Sequence, residues 1–152
     1  MSRPSLDAYF LAMLPLVASR GTCPRRQVGC VLVDFQGRLV ATAYNGNASG
    51  MAHCIDVPCP GAESLGGSRE SCEAVHAESA ALLQARASRR EPHTAYCSLT
   101  PCMNCAKLLI SAGVKRVVAL SMYKHDDLGV RLLLKAGVEL EVMESNGIQS
   151  RQ

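Results

Sequence analysis

A chain of 152 residues has the length of one compact domain, and its formal net charge of +3 comes from basic residues scattered along it, which leaves no concentrated face for a long polyanion. Hydrophobic residues make up 48% and charged residues 19%, too apolar for a disordered chain, while no apolar run approaches the roughly 20 residues of a membrane span. Aromatics are only 4%, which argues against the stacking surfaces of non-specific single-strand binders. The anomaly is eight cysteines. The opening segment carries Asp7 and is interrupted by Pro15, with no clear cleavage site, so no signal peptide is expected. Thiols in such number in a reducing cytoplasm are more often metal ligands than cross-links.

In chain order, Leu6, Phe10, Met13, Leu14 and Val17 recur at three- and four-residue steps and predict an amphipathic helix over 5–19, despite Pro15. The apolar runs 27–34 and 38–44, separated by Phe35-Gln36-Gly37, predict a β-hairpin. From Asn45 to Ser71 the chain turns rich in Gly, Pro, Ser and Cys, too long for a structureless loop unless something other than a core holds it. A helical pattern over 72–87 precedes a strand at 93–99. Pro101 marks a helix start, with a periodic run over 102–112 and Gly113 at its end. A strand at 114–122, a helix at 128–136 stopped by Gly137, and a strand at 138–143 complete the pattern. Strands alternating with helices after a hairpin predict a three-layer α/β/α domain around a central mixed five-stranded sheet.

Two clusters carry chemistry: His76-Ala77-Glu78 opens one predicted helix and Pro101-Cys102-Met103-Asn104-Cys105 opens another. Cysteines at i and i+3 share one face of a helical turn and can grip one ion, and the positive helix end favours their thiolates. Histidine and glutamate two residues apart reach one site only at a helix's first, irregular turn. One His and two Cys are three soft ligands that suit Zn²⁺ and leave a fourth, catalytic position open. Two thiolates offset the dication's charge, so a nearby carboxylate that takes and returns protons becomes valuable, and Glu78 fits that role. A lone CxxC is as often a redox pair or half a structural site. The combination matches the H-x-E…P-C-x-x-C signature of the zinc-dependent base deaminases.

The segments CPRRQVGCVLV, AYNGNASGMAHC, CEAVHAE and TPCMNCAKLLISAGVKRVV resemble the deoxycytidylate (dCMP) deaminases of the cytidine deaminase superfamily, from about Cys23 to Met143. The resemblance implies a single deaminase domain over 1–152 that removes ammonia from C4 of dCMP and supplies dUMP for dTTP synthesis. It assigns His76, Cys102 and Cys105 to zinc and Glu78 to proton transfer. It implies that Asn45 contacts the sugar 3′-hydroxyl and that the Ala77 backbone, with carbonyls from Ser98 to Thr100, frames the base. A cytoplasmic hexamer activated by dCTP with Mg²⁺ and inhibited by dTTP belongs to the same implication. Ala43 stands where Gly is usual before the YNG segment, and Ala80 where Asn often follows HAE.

Six cysteines remain. Cys30 and Cys97 lie in apolar strands, where a free thiol acts as a small hydrophobe. Cys23 follows the first helix, Cys54 and Cys59 lie in the long polar loop and Cys72 stands one turn before His76; together they make a candidate closed Cys₄ set for a second, structural Zn²⁺ stapling a loop insertion at about 45–71, with free thiols or a disulfide as the alternative. A nucleotide phosphate needs cationic donors, for which Arg25 and Arg26 are the candidates. The enzyme rival is a tRNA adenosine deaminase, whose relatives usually carry Glu before Pro-Cys, where this chain has Thr100. The non-enzyme rival is a structural zinc module, which has no use for an unligated carboxylate at Glu78.

Overall fold

The computed structural model describes residues 2–63, 69–124, 126–144 and 147–151. In chain order the elements are α1 (Leu6–Ala18), β1 (Gly29–Val33), β2 (Leu39–Tyr44), α2 (Pro60–Glu63), α3 (Ala77–Ala85), β3 (Thr94–Leu99), α4 (Met103–Ser111), β4 (Arg116–Ser121), α5 (Leu128–Lys135), β5 (Glu139–Glu144) and β6 (Gly147–Arg151). The strands form one mixed sheet in the order β2-β1-β3-β4-β5-β6. β1 pairs antiparallel with both β2 and β3, while β3, β4 and β5 run parallel. The first five strands are the expected mixed sheet. β6 is an addition, antiparallel to β5 at the edge; with Ile148 its one branched apolar residue, it carries no alternating pattern to read.

Period-two alternation sorts the strand side chains onto two faces. Val31, Val33, Tyr96 and Val118 pack with Phe10, Leu11 and Leu14 of α1. Cys30, Leu32, Ala95, Cys97, Val117 and Leu140 point the other way, into a core shared with Ala77 and Ala81 of α3, Leu109 of α4 and Leu133 of α5. The domain is thus three layers, α1 on one face and α3, α4 and α5 on the other. β1 is buried at all five positions, as a strand covered on both faces must be.

Helix α1 starts where the Ser5 hydroxyl accepts from the Ala8 amide at 3.1 Å, an N-cap worth about 1 kcal/mol. Pro15 is exposed on its outer side, where a lost backbone bond leaves a carbonyl that water can satisfy. At the other end of α1, Asp7 receives two bonds from the Arg116 guanidinium at 2.7 and 2.8 Å and one from the Tyr96 hydroxyl at 2.6 Å. Arg116 also reaches Glu141 at 2.7 Å, so one charge network clamps α1 across three strands.

The helix expected over 72–87 begins only at Ala77. Val75 pairs with Gly46 in an isolated antiparallel bridge, through bonds of 2.8 and 3.2 Å, and holds the backbone extended as far as His76, whose φ/ψ of −67°/152° makes it the N-cap. Cys72 is therefore not one helical turn before His76. The 45–71 segment contains α2 and a short 3₁₀ turn over Arg69–Ser71, and residues 64–68 of the expected insertion lie outside the described residues. Among the described residues no helix is long and apolar enough to cross a membrane.

Candidate active site

His76 and Cys102 are the N-cap residues of α3 and α4, both in extended conformation and neither with a side-chain cap. The parallel crossover from β3 into α4 brings these two helix starts together. His76 Nδ1 lies 3.4 Å from Cys102 Sγ and 3.5 Å from Cys105 Sγ. Among the described residues, His76, Cys102 and Cys105 are the group of metal-ligand types whose donor atoms all lie within 4.8 Å of one another. His76 is exposed, Cys102 partly so and Cys105 buried, so the cluster opens to solvent on one side.

A single proton shared between the two cysteines holds them unequally: the hydrogen bond from Cys105 keeps the Cys102 thiol far below the ordinary thiol range. A dication replaces such a proton, since thiolates and neutral imidazole are what zinc binds. Three convergent soft donors with one side open therefore fit Zn²⁺ in a catalytic arrangement. Glu78, in the first turn of α3, is 5% exposed. Burial pushes its carboxyl above the usual range, opposed by its own backbone amide and by the charge of His76. A carboxyl that is nearly dry and within electrostatic reach of His76 and Cys102 can carry protons in both directions. His76 and Glu78 reach one site because the former is the cap and the latter lies in the first turn, as the spacing requires.

The remaining expected site residues surround this centre. Asn45 is buried; its Oδ1 accepts from the Val28 amide at 2.8 Å and its Nδ2 donates to the Arg26 carbonyl at 2.8 Å. It braces the 26–28 segment and keeps one N–H and one lone pair uncommitted. Ala77, the first residue of α3, is wholly buried. Ser98 straps β3 to β1, accepting from the Gly29 amide at 2.9 Å and donating to the Gly29 carbonyl at 3.3 Å. Thr100 is 2% exposed and its Oγ1 accepts from the Tyr123 amide at 2.8 Å. Of the two expected phosphate donors, Arg25 donates to the Gly61 carbonyl at 2.8 Å, while the Arg26 guanidinium sits over the Tyr123 ring at 5.1 Å.

The four loop cysteines do not form a group as tight as the catalytic one. They nevertheless approach: the Cys59 amide donates to Cys54 Sγ at 3.3 Å, and Cys23 and Cys59 both raise the proton affinities of Cys54 and Cys72. The Glu73 backbone amide holds the Cys59 thiol below its ordinary range. Cys30 and Cys97 are register partners on β1 and β3, fully buried, with sulfurs 4.0 Å apart. The Cys30 hydrogen bond and burial push the Cys97 thiol well up, so both are inert core side chains.

Sequence reasoning missed Gly129. A Cβ there would come within 2.7 Å of the Cys102 carbonyl carbon and closer still to the Pro101 carbonyl oxygen. α5 therefore presses on the turn that carries Cys102, and only glycine allows that approach. Its signal was available: a glycine at the second position of a predicted helix costs stability relative to alanine.

Residues 4–121 match the family described as the cytidine and deoxycytidylate deaminase zinc-binding region. The chain is 40% identical to a deoxycytidylate deaminase of Schizosaccharomyces pombe over 91% of its own length and 44% of that protein. It is 37% identical to the deoxycytidylate deaminase of Mycobacterium phage D29 over 78% of its length and 96% of the phage protein. The crystal structure of dCMP deaminase from the cyanophage S-TIM5, in complex with dCMP and dUMP, superposes with a TM-score of 0.77 at 28% identity, covering 94% of this chain and 100% of that one. The chain spans less than half the length of the fission yeast relative. With the His-Cys-Cys cluster, the buried glutamate and the three-layer fold in place, this chain belongs to the cytidine and deoxycytidylate deaminase family.

Proposed function

We propose that this chain hydrolyses dCMP to dUMP and ammonia and so supplies dUMP for dTTP synthesis. The observation that carries the reading is the buried Glu78 carboxyl set against the convergent His76, Cys102 and Cys105. A zinc ion held by those three residues supplies Lewis acidity to the attacking water. Glu78 takes a proton from that water and passes it to N3 of the cytosine ring, then takes the remaining proton from the oxygen added at C4 as the carbonyl forms and gives it to the amino group, which leaves as ammonia. Its dry surroundings keep the carboxyl's affinity for protons high enough for both transfers.

The choice of a deoxynucleotide is supported by the fission yeast and phage relatives and by the dCMP and dUMP held by the cyanophage enzyme. In this reading Asn45 uses its uncommitted N–H on the sugar, the Ala77 backbone and the carbonyls from Ser98 to Thr100 frame the base, and Arg25 and Arg26 face the phosphate. Cys23, Cys54, Cys59 and Cys72 hold a second zinc that pins the 45–71 loop; their approach around Cys59 supports it. A cytoplasmic homo-hexamer, with dCTP and Mg²⁺ activating and dTTP inhibiting, completes the proposal. Ammonia release from dCMP, dCTP, deoxycytidine and a tRNA anticodon stem, each with and without dCTP, tests substrate and regulation together. The highest turnover is expected on dCMP, and activity on the anticodon stem alone would overturn the reading.

A further inference from the structure

The two cysteines of the metal cluster stand in different surroundings. Cys102 is partly exposed. Cys105 is 1% exposed, and 3.5 Å from its Sγ lies the hydroxyl of Ser79, the residue after Glu78. A serine in a helix commonly returns its hydroxyl to the carbonyl three or four residues back. Here both of those carbonyls already accept backbone donors: Val75 from Gly46 at 3.2 Å and His76 from Ala80 at 2.9 Å. The hydroxyl is set on the sulfur instead. Once Cys105 has lost its proton to a metal, the Ser79 hydroxyl is placed to donate to it.

We infer that Ser79 is a positioning residue for the metal, donating a hydrogen bond to the Cys105 thiolate. This rests on the zinc reading of the cluster. Two thiolates offset a dication's charge and weaken its pull on a bound water. A hydrogen bond to one of them withdraws electron density from that sulfur and returns part of the pull, while fixing the sulfur's orientation in the way outer partners do at other metal sites. Buried Cys105 obtains this relief from Ser79.

The test uses full-length protein with Co²⁺ in place of zinc and the isosteric pair Ser79→Thr and Ser79→Val, which differ in the hydroxyl and not in shape. Loss of the donor in Ser79→Val makes the sulfur more electron-rich, so its thiolate-to-cobalt charge-transfer band moves to longer wavelength. Chelator competition on the zinc form is expected to show about a 10- to 100-fold loss of affinity, and kcat falls with KM unchanged. Ser79→Thr keeps the wild-type band and affinity. A Ser79→Val protein with wild-type band and affinity overturns the inference, as does a Ser79→Thr protein that behaves like Ser79→Val. A wild-type protein without any charge-transfer band overturns the zinc reading and this inference with it; a normal wild-type band with no shift in Ser79→Val overturns the inference alone.

Discussion

Glu78 has almost no water around it, yet it feels the charges of His76 and Cys102. Replacing its carboxyl with an amide keeps the shape and removes the ability to carry a proton. Glu78→Gln is expected to fold, to retain zinc by metal analysis, and to lose at least about 10³-fold in turnover, the scale of lost general acid-base catalysis. Near wild-type ammonia release from a metal-replete variant would contradict the role given to Glu78. Gly129 makes the opposite kind of demand, for empty space. Gly129→Ala forces α5 away from the Pro101–Cys102 turn and is expected to cost about 1–3 kcal/mol, the usual penalty of overpacking. Because the displaced turn carries a ligand, denaturation midpoint and zinc retention should fall together; a drop in stability with unchanged zinc retention would place the strain elsewhere.

Among the elements, α1 depends most on charge for its placement. Its apolar face carries Phe10, Leu11 and Leu14, but its first turn is held by Asp7 against Arg116 and Tyr96. The Arg116 bonds keep the Asp7 carboxyl below the ordinary carboxylate range, against the opposing effect of burial. A carboxyl with a depressed folded pKa stabilises the fold above its unfolded pKa of about 3.9, and that contribution fades as pH falls through the folded value. Asp7→Asn should therefore be about 1–2 kcal/mol less stable than wild type near neutral pH, allowing for solvent screening of a partly exposed carboxylate. The difference should shrink as pH drops below 4, measured by urea denaturation across that range. A gap that stays constant to low pH would show that Asp7 contributes by shape and not by charge. Helices α3 and α4 illustrate a different use of an element: each opens on a residue of the His-Cys-Cys cluster in place of a conventional side-chain cap, so the positive end of each helix lies at that cluster.

At the level of the whole molecule, the proposed zinc sites would make stability depend on metal. Protein purified without chelator is expected to hold two zinc ions per chain, and removing them should lower the thermal midpoint, because an ion bound only by the folded state stabilises it. One zinc per chain would leave the 45–71 loop to α2, the Arg25–Gly61 bond and the Gly46–Val75 bridge. Much of the architecture was legible in the sequence because each strand and helix carries a strong period: the hairpin, the helix beginning near Pro101 and the last parallel strands lie within a few residues of expectation. The start of α3 was not legible. Residues 72–76 have a helical pattern, but a pairing with Gly46 holds them extended, and a contact across nearly thirty positions leaves no local mark. The same holds for β6, whose residues carry no alternation, and for the contact between α5 and the Cys102 turn.

The sequence by itself determined the chemistry of the site. Metal-ligand types and a carboxylate at the spacing of His76, Glu78, Cys102 and Cys105 have few other uses, and a helix's first turn is a local structure that short-range residues dictate. What only the tertiary structure decided is how those groups differ from one another. Packing of α3 and α5 against α4 buries Cys105 and leaves Cys102 partly exposed, seals Glu78 from water, sets the Ser79 hydroxyl on a sulfur and requires glycine at 129. Burial and proximity between distant segments are properties of the assembled core, and they set the proton affinities and ligand strengths on which the proposed reaction depends.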